Sequence, residues 1–218
     1  FPDNSGGMNM HPWHHYVALG DSFTEGVGDP VEGFEMLGAM DRLAAALRQS
    51  NPALQVTNLA KRGLVLAEIR DQQLAPALRL KPDLVSVVGG ANNILSGRFD
   101  SARLEDEFDT LLSALTASGA RVCTGNLPRF PIIATLREPL QARLSKNLAR
   151  ANAIIARVAA RHGAILVDAW GASLRADPAD WSADNLHLNA RGYFNFAAEI
   201  IRTIEAQAGV TLGGIEAP

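Results

Sequence analysis

Residues 16–26 read YVALGDSFTEG, an apolar run that stops at a glycine and turns directly into a serine. The first four residues are apolar without strict alternation, which is typical of a strand buried on both faces of a parallel sheet. A strand that ends in this way can expose a hydroxyl at the carboxyl edge of the sheet, where open α/β folds bind their ligands. The stretch therefore predicts that Ser22 lies at a ligand-binding edge.

Similar short apolar runs continue along the chain, at residues 54–59, 84–88, 121–124 and 164–167. Amphipathic helical patterns alternate with them, at residues 40–48, 101–118, 139–162 and about 189–207. This alternation favours right-handed crossovers and a three-layer α/β/α sandwich around a five-stranded parallel sheet. Residues 1–10 show no element pattern, so we expect residues 1–13 to be a disordered or cloning-derived tail and residues 14–218 to form one domain.

Composition excludes several classes of protein. The chain has 218 residues with 20 Lys and Arg against 23 Asp and Glu, so it lacks the basic excess typical of nucleic-acid binding. No apolar run approaches the roughly 20 residues that span a bilayer. No signal peptide is visible, which favours a cytoplasmic protein, although secretion stays open because a cleaved leader leaves no trace. The single cysteine, Cys123, excludes an internal disulfide and a cysteine-based zinc site.

A histidine cluster near the start of the chain suggests a metal site at first sight. His11, His14 and His15 are close in sequence, but neighbouring side chains of an extended segment point to opposite faces. We therefore expect no metal site there, and no other pattern calls for a metal or a cofactor.

Polar residues follow several of the predicted strands. Ser22 follows the first strand, Gly63 lies in the loop after the second, Asn92 follows the third, and Asp184 and His187 lie beyond the fifth. Loops that follow parallel strands emerge at one edge of the sheet, so these residues are expected to converge. An Asp three residues before a His can orient the imidazole as a base for a serine nucleophile. Asp21, by contrast, is expected to be a hydrogen-bonding residue of the turn.

On these motifs the chain resembles the SGNH, or GDSL-type, family of lipases and acylhydrolases. The family's Gly-Asp-Ser, glycine, Gly-x-Asn-Asp and Asp-x-x-His blocks occur here in order, over roughly residues 15–205. One residue departs from the pattern, since Asn93 stands where the family usually has a supporting Asp. The resemblance implies the SGNH hydrolase fold with a flavodoxin-like strand order, and Asn93 affects the support of the site more than the reaction.

The resemblance also implies a role for each matching residue. Ser22 would be the nucleophile, His187 the general base, and Asp184 the carboxylate that orients His187. The oxyanion hole would consist of the backbone N–H groups of Ser22 and Gly63 and the side-chain amide of Asn92. These roles agree with the chemistry, because a serine hydroxyl needs an adjacent base and neutral donors stabilise the oxyanion.

Two loops are placed to shape a substrate site, at residues 23–36 and 125–139. The second is long and rich in proline and apolar groups, as functional loops often are. We expect Phe130 and Ile132 to line an apolar acyl groove and Trp181 to form another wall, with Phe23 and Asn126 as further substrate contacts. Packing of these side chains in the core is the alternative.

The sequence thus predicts a serine hydrolase of small or medium-chain acyl esters, whose partner is a small-molecule ester. An acyltransferase with the same three residues would use an alcohol or sugar in place of water. A flavodoxin-like binding protein would hold phosphate at the first strand-to-helix turn, but it gives Asn92 and His187 no role. No interface pattern stands apart from the core pattern, so the sequence indicates no oligomeric state.

Overall fold

The computed structural model of the chain describes residues 10–97, 99–170 and 177–215. Its centre is a five-stranded parallel sheet in the order β2-β1-β3-β4-β5, as the resemblance predicted. The strands are β1 (His15–Gly20), β2 (Gln55–Asn58), β3 (Leu84–Val88), β4 (Arg121–Gly125) and β5 (Ile165–Val167). All five match the predicted apolar runs, with ends that differ by at most one residue.

The strand register sets up the functional edge of the sheet. β1 lies between β2 and β3, and Gly20 at the end of β1 pairs with Val88 at the end of β3. The loops that leave these two strands therefore start side by side. Every residue of β3 is buried, which explains why its sequence is mainly apolar without alternation.

The helices cover both faces of this sheet. The long ones are α2 (Ala39–Ser50), α6 (Ser101–Ala117), α8 (Leu140–Arg161) and α9 (Ala190–Ala208). Short ones are α1 (Ser22–Glu25), α3 (Leu66–Ile69), α4 (Ala75–Arg79), α5 (Ala91–Leu95) and α7 (Pro131–Ala134). α2 packs against α9, and α6 packs against α8, so the predicted three-layer sandwich is confirmed.

The amphipathic faces of the long helices supply the core. Leu43 and Leu47 of α2 and Phe108 of α6 are almost completely buried. Each large apolar side chain moved out of water in this way contributes about 1.5–3 kcal/mol to folding. The helices end where the sequence predicted, with a left-handed Gly209 closing α9.

A π-helical turn, Arg70–Leu74, joins α3 to α4 and was not predicted from the sequence. π-helical turns are rare and frequently occur at functional sites. This one buries Gln73, whose side-chain oxygen accepts from the N–H of Gly20 at 2.8 Å. The amide nitrogen of Gln73 donates to the carbonyl of Gly20 at 2.9 Å. Gln73 therefore fixes the end of β1, immediately before Asp21 and Ser22.

The prediction that the fold begins at residue 14 is wrong. Trp13 and His11 are buried, and their rings stack with centroids 5.3 Å apart. The Nε2 atom of His11 contacts the carbonyl oxygen of Leu47 at 2.9 Å, and Asn51 donates to the carbonyl of Trp13. The sequence pattern missed these residues because an isolated Trp carries no periodicity. Residues 1–9 of the predicted tail lie outside the described residues.

The described part of the chain forms no helix that is both long and apolar enough to cross a membrane. Within the same part, no group of three or more His, Cys, Asp or Glu side chains is arranged to hold a metal ion.

Candidate active site

Ser22 is the first residue of α1, and only Asp21 separates it from Gly20 at the end of β1. Asp21 caps this short helix, because its Oδ1 atom accepts from the N–H of Phe23 at 3.1 Å. A Cβ atom on Gly20 would lie 2.2 Å from Oγ1 of Thr24 and 2.5 Å from the carbonyl oxygen of Val88. Only glycine fits this crowded turn, which presents the Ser22 hydroxyl at the sheet edge.

The three residues predicted as a triad lie in hydrogen-bonding contact. Oγ of Ser22 is 2.8 Å from Nε2 of His187, although the two residues are 165 positions apart. Nδ1 of His187 is 2.6 Å from Oδ2 of Asp184. In the tautomer that suits both contacts, Nδ1–H donates to Asp184 and Nε2 accepts from the Ser22 hydroxyl. This arrangement can remove a proton from Ser22 and stabilise the imidazolium that results.

The carboxylate of Asp184 is held ionised by its own loop. Its Oδ1 atom accepts from the backbone N–H groups of Leu186 and His187 at 2.9 and 3.0 Å. Burial alone would raise the pKa of Asp184, but the hydrogen bonds from the His187 side chain and from these two backbone groups outweigh it and lower the pKa. Asp184 is therefore a charged partner for His187 at neutral pH.

The loop that carries Asp184 and His187 is fastened to the segment after α1. The N–H of Asp29 donates to Oγ of Ser182 at 2.9 Å, and the N–H of Ala183 donates to Oδ2 of Asp29 at 2.8 Å. On its other side the loop runs into α9, whose first turn is capped by Asn189. These contacts join the two distant parts of the chain that supply the nucleophile and the imidazole.

The three predicted oxyanion donors differ in whether they already donate a hydrogen bond within the protein. Within the described ranges, neither the N–H of Ser22 nor that of Gly63 donates to a protein acceptor. Gly63 has φ of 83°, a left-handed conformation that suits glycine. The amide nitrogen of Asn92 donates to the carbonyl of Leu64 at 2.9 Å and, more weakly, to Oδ2 of Asp21 at 3.3 Å. The long bond to Asp21 is the one that a substrate oxygen can replace.

Asp21 is a hydrogen-bonding residue, as expected, and is also an unusual carboxylate. It is buried beneath the turn, and this desolvation raises its pKa to about 6. The hydrogen bond from Phe23 and the nearby His187 oppose the rise without cancelling it. The phosphate site of a flavodoxin-like binding protein finds no support at this turn, because the carboxyl of Asp21 lies there and already accepts from the N–H of Phe23.

Asn93 replaces the family's Asp without leaving its partner unsatisfied. Its Oδ1 atom accepts from the N–H of Leu66 at 3.0 Å, at the start of α3. Since an amide oxygen and a carboxylate oxygen can both accept this hydrogen bond, the segment between Gly63 and α3 stays in place.

A cleft that opens to solvent lies beside Ser22, His187 and Asn92. Its walls are mainly apolar and include Phe23, Val88, Leu95, Leu127, Phe130 and Phe196. Of the predicted substrate contacts, Phe23, Phe130 and Asn126 line this cleft. The amide of Asn126 is already engaged, since it donates to Asp168 at 2.7 Å and accepts from the N–H of Trp170 at 2.9 Å.

Two predicted substrate contacts do not line the cleft. Ile132 is half-buried against the core, and its N–H donates to the carbonyl of Asn185 at 2.9 Å. Trp181 is buried, and its ring packs edge-on against that of Phe130 with the ring centroids 6.2 Å apart. Both side chains take the core-packing alternative, since an apolar side chain near the site packs inward as readily as outward.

Sequence reasoning missed Gln73 and Phe196. No motif marks Gln73, because its role depends on the π-helical turn. Phe196 lies on the buried face of α9, where the periodic pattern identifies it as a core residue and gives no sign that it also borders the cleft.

A comparison of the sequence with known protein families gives a match. The sequence model of the GDSL-like Lipase/Acylhydrolase family matches residues 18–193. No curated protein matches the chain significantly.

Several solved structures share the fold. An alpha/beta hydrolase enzyme from the metagenome of Lake Arreo, Spain, is 25% identical with a TM-score of 0.67, and the match covers 90% of this chain and 95% of that one. A putative GDSL-like lipase from Parabacteroides merdae is 17% identical with a TM-score of 0.73, over 90% and 97% of the two chains. The lipase/acylhydrolase from Enterococcus faecalis is 21% identical with a TM-score of 0.68, over 94% and 100%.

Proposed function

This chain belongs to the GDSL-like lipase/acylhydrolase family, and we propose that it hydrolyses small or medium-chain acyl esters through an acyl-Ser22 intermediate. The observation that carries the proposal is the continuous hydrogen-bonded line from Ser22 through His187 to Asp184. Such a line is what nucleophilic acyl transfer requires, since the serine hydroxyl becomes reactive when an adjacent base takes its proton.

The first half of the reaction forms the acyl-enzyme. Oγ of Ser22 attacks the ester carbonyl while Nε2 of His187 accepts the hydroxyl proton. Asp184, ionised and bonded to Nδ1, stabilises the imidazolium. The tetrahedral intermediate then collapses, His187 gives its proton to the leaving alcohol, and the acyl group stays on Ser22.

The second half repeats these steps with water. His187 takes a proton from water, the resulting hydroxide attacks the acyl carbon, and Ser22 leaves with the proton returned by the imidazole. In both halves the negative oxygen is stabilised by the N–H groups of Ser22 and Gly63 and by the amide of Asn92, which exchanges its long bond to Asp21 for the substrate oxygen.

The lining of the cleft supports an acyl substrate. Phe130 and Leu127 form an apolar wall along which an acyl chain can lie. The amide of Asn126 also lines the cleft, but it is already hydrogen-bonded to Asp168 and is therefore less available to a polar substrate group. A small or medium-length chain fits this combination better than a highly charged acyl group does.

Replacement of the nucleophile tests the proposal directly. Ser22→Ala should abolish turnover of p-nitrophenyl butyrate to the level left by the oxyanion donors and binding alone, a loss of about 10⁴–10⁶ in kcat. Ser118→Ala, at the end of α6 and away from the cleft, is the matched control and should keep full activity. Mass spectrometry of the quenched wild-type reaction should find a butyryl group on Ser22. A Ser22→Ala protein with normal turnover would show that another residue is the nucleophile.

Water and added alcohols can be compared as acyl acceptors in the same assay. Release of free butyrate at the rate of p-nitrophenol, with alcohol present, supports hydrolysis. Predominant formation of the new ester would identify an acyltransferase with the same triad.

A further inference from the structure

A second, smaller space lies directly behind the cleft. We call it the inner chamber; it is bounded by Met40, Ser86, Cys123, Thr124, Val167 and Ile200, between the sheet and the α2–α9 layer. Val88 and Phe196 border both the cleft and the inner chamber. The two spaces are thus neighbours that share the side chains of these two residues.

The inner chamber presents an apolar lining in spite of its two hydroxyl residues. Oγ of Ser86 is 2.7 Å from the hydroxyl of Tyr16, and Oγ1 of Thr124 donates to the carbonyl of Val87 at 2.7 Å. With both hydroxyls engaged within the protein, the surface left over is hydrocarbon and sulfur. A polar ligand would find no free partner there, whereas an alkyl chain would leave no group unsatisfied.

As the structure stands, the inner chamber is narrow, with room for about one water molecule. Movement of the Phe196 ring is what would enlarge it and connect it to the cleft. This ring packs edge-on against Phe23, the residue after the nucleophile, with centroids 5.0 Å apart. Met40 on the opposite side is a flexible side chain that adapts to irregular neighbours.

We propose that the inner chamber receives the distal end of the substrate's acyl chain, and that Phe196 determines how much of the chain enters. This inference rests on the proposed function, because it assumes an acyl group on Ser22. It makes Phe196 a specificity-determining residue: with the ring in place the cleft holds short chains, and when the ring is displaced the chain continues into the sheet–helix layer. Each methylene that leaves water for an apolar site should raise kcat/KM by about fourfold.

Two substitutions change the inner chamber in opposite directions. Phe196→Leu removes part of the ring and opens the path. Gly125→Ala fills space, since a Cβ there would lie 3.9 Å from Cζ of Phe196 and 3.7 Å from the carbonyl oxygen of Val167, which is ordinary contact. Phe108→Leu is the matched control, because Phe108 is equally buried but lies in α6, away from both spaces.

The first measurement is the ratio of kcat/KM for p-nitrophenyl decanoate to that for the butyrate. Phe196→Leu should raise this ratio by about tenfold or more, as two or more additional methylenes become buried. Gly125→Ala should lower it about threefold, and Phe108→Leu should leave it as in the wild type. An unchanged ratio in Phe196→Leu, in a protein whose circular dichroism matches the wild type, would overturn the proposal.

The second measurement does not depend on catalysis, because the only cysteine of the chain borders the inner chamber. Burial raises the pKa of the Cys123 thiol to about 12, so maleimide should label the wild-type protein slowly at neutral pH. Labelling of Phe196→Leu should be at least about tenfold faster than that of Phe108→Leu, which measures general loosening of the core. Added decanoate should slow the labelling of Phe196→Leu, and butyrate should not.

The two measurements separate the two hypotheses. A wild-type protein that hydrolyses no ester of any length contradicts the proposed function, while decanoate protection of Cys123 would still identify the inner chamber as an alkyl site. If the protein is an active esterase but maleimide labels Phe196→Leu and Phe108→Leu equally fast, the inner-chamber proposal is contradicted and the proposed function is not. The same holds if decanoate does not protect Cys123 of Phe196→Leu.

Discussion

Asp21→Asn should make the protein more stable and less active, and the gain in stability should depend on pH. Asp21 is buried, and its pKa is raised by this burial from the model-peptide value of 3.8 to about 6. The folded protein therefore holds the proton of Asp21 more tightly than the unfolded chain does. Its ionisation destabilises the fold as the pH rises from about 4 to 6, and this cost stays constant at higher pH.

The magnitude follows from the size of the shift. A rise in the pKa of Asp21 from 3.8 to about 6 lowers the free energy of unfolding by roughly 3 kcal/mol at pH 8. Near pH 4.5, where Asp21 of the folded protein is still mostly protonated, the loss is roughly 1 kcal/mol. Asparagine is neutral at both pH values and can keep the cap on Phe23 through its Oδ1 atom. It loses the long bond from Asn92, which costs up to about 1 kcal/mol. The net gain should be close to zero near pH 4.5 and about 2 kcal/mol at pH 8.

Urea denaturation of both proteins at the two pH values measures this difference. Asp71→Asn is a suitable control, because Asp71 is exposed and hydrogen bonds from Arg70 lower its pKa, so its replacement should give no gain at pH 8. A free-energy difference between Asp21→Asn and the wild type that is the same at both pH values would refute the reasoning. The variant should also lose about tenfold to a hundredfold in kcat, because its amide nitrogen faces that of Asn92 and displaces an oxyanion donor.

The remaining predictions concern three other parts of the site. Asn92→Ala should lower kcat for p-nitrophenyl butyrate by about 10²–10³ if its amide stabilises the oxyanion, and a near-normal rate would exclude that role. Asp184→Asn should lower kcat by up to about 10⁴. Burial raises the pKa of Asp184 but hydrogen bonds, chiefly from His187, lower it overall, so Asp184 should stay charged in mild acid; an Asp184→Asn variant with the kcat of the wild type would contradict a role for this charge. Gln73→Leu leaves the buried N–H of Gly20 without an acceptor and should cost about 1–3 kcal/mol in urea unfolding, together with a loss of kcat.

The fold could be predicted from the sequence because its strands and long helices are locally consistent. β3 is apolar at four of its five positions and is buried throughout, and α6 places Leu104, Phe108 and Leu111 on one buried face. Such periodic segments carry their own signal. The π-helical turn around Gln73 could not be predicted, because it is stabilised by a distant contact with Gly20 that no local pattern records.

The triad positions could be predicted for a different reason. Ser22 and the Asp184–His187 pair are each fixed by a short local turn, and the parallel topology brings the ends of those turns to one edge of the sheet. The direction of an apolar side chain is not fixed in this way. Phe130 points into the cleft whereas Trp181, which packs against it, points into the core. The sequence gives the same apolar character to both.

Asn93 shows why a departure from a family pattern need not disturb the site. The side chain at this position accepts a hydrogen bond from the N–H of Leu66 at 3.0 Å. A carboxylate would accept this hydrogen bond with a full negative charge, and the amide oxygen of asparagine accepts it without one. Either side chain at position 93 can therefore accept the hydrogen bond at the start of α3, which holds the segment that follows Gly63 in place.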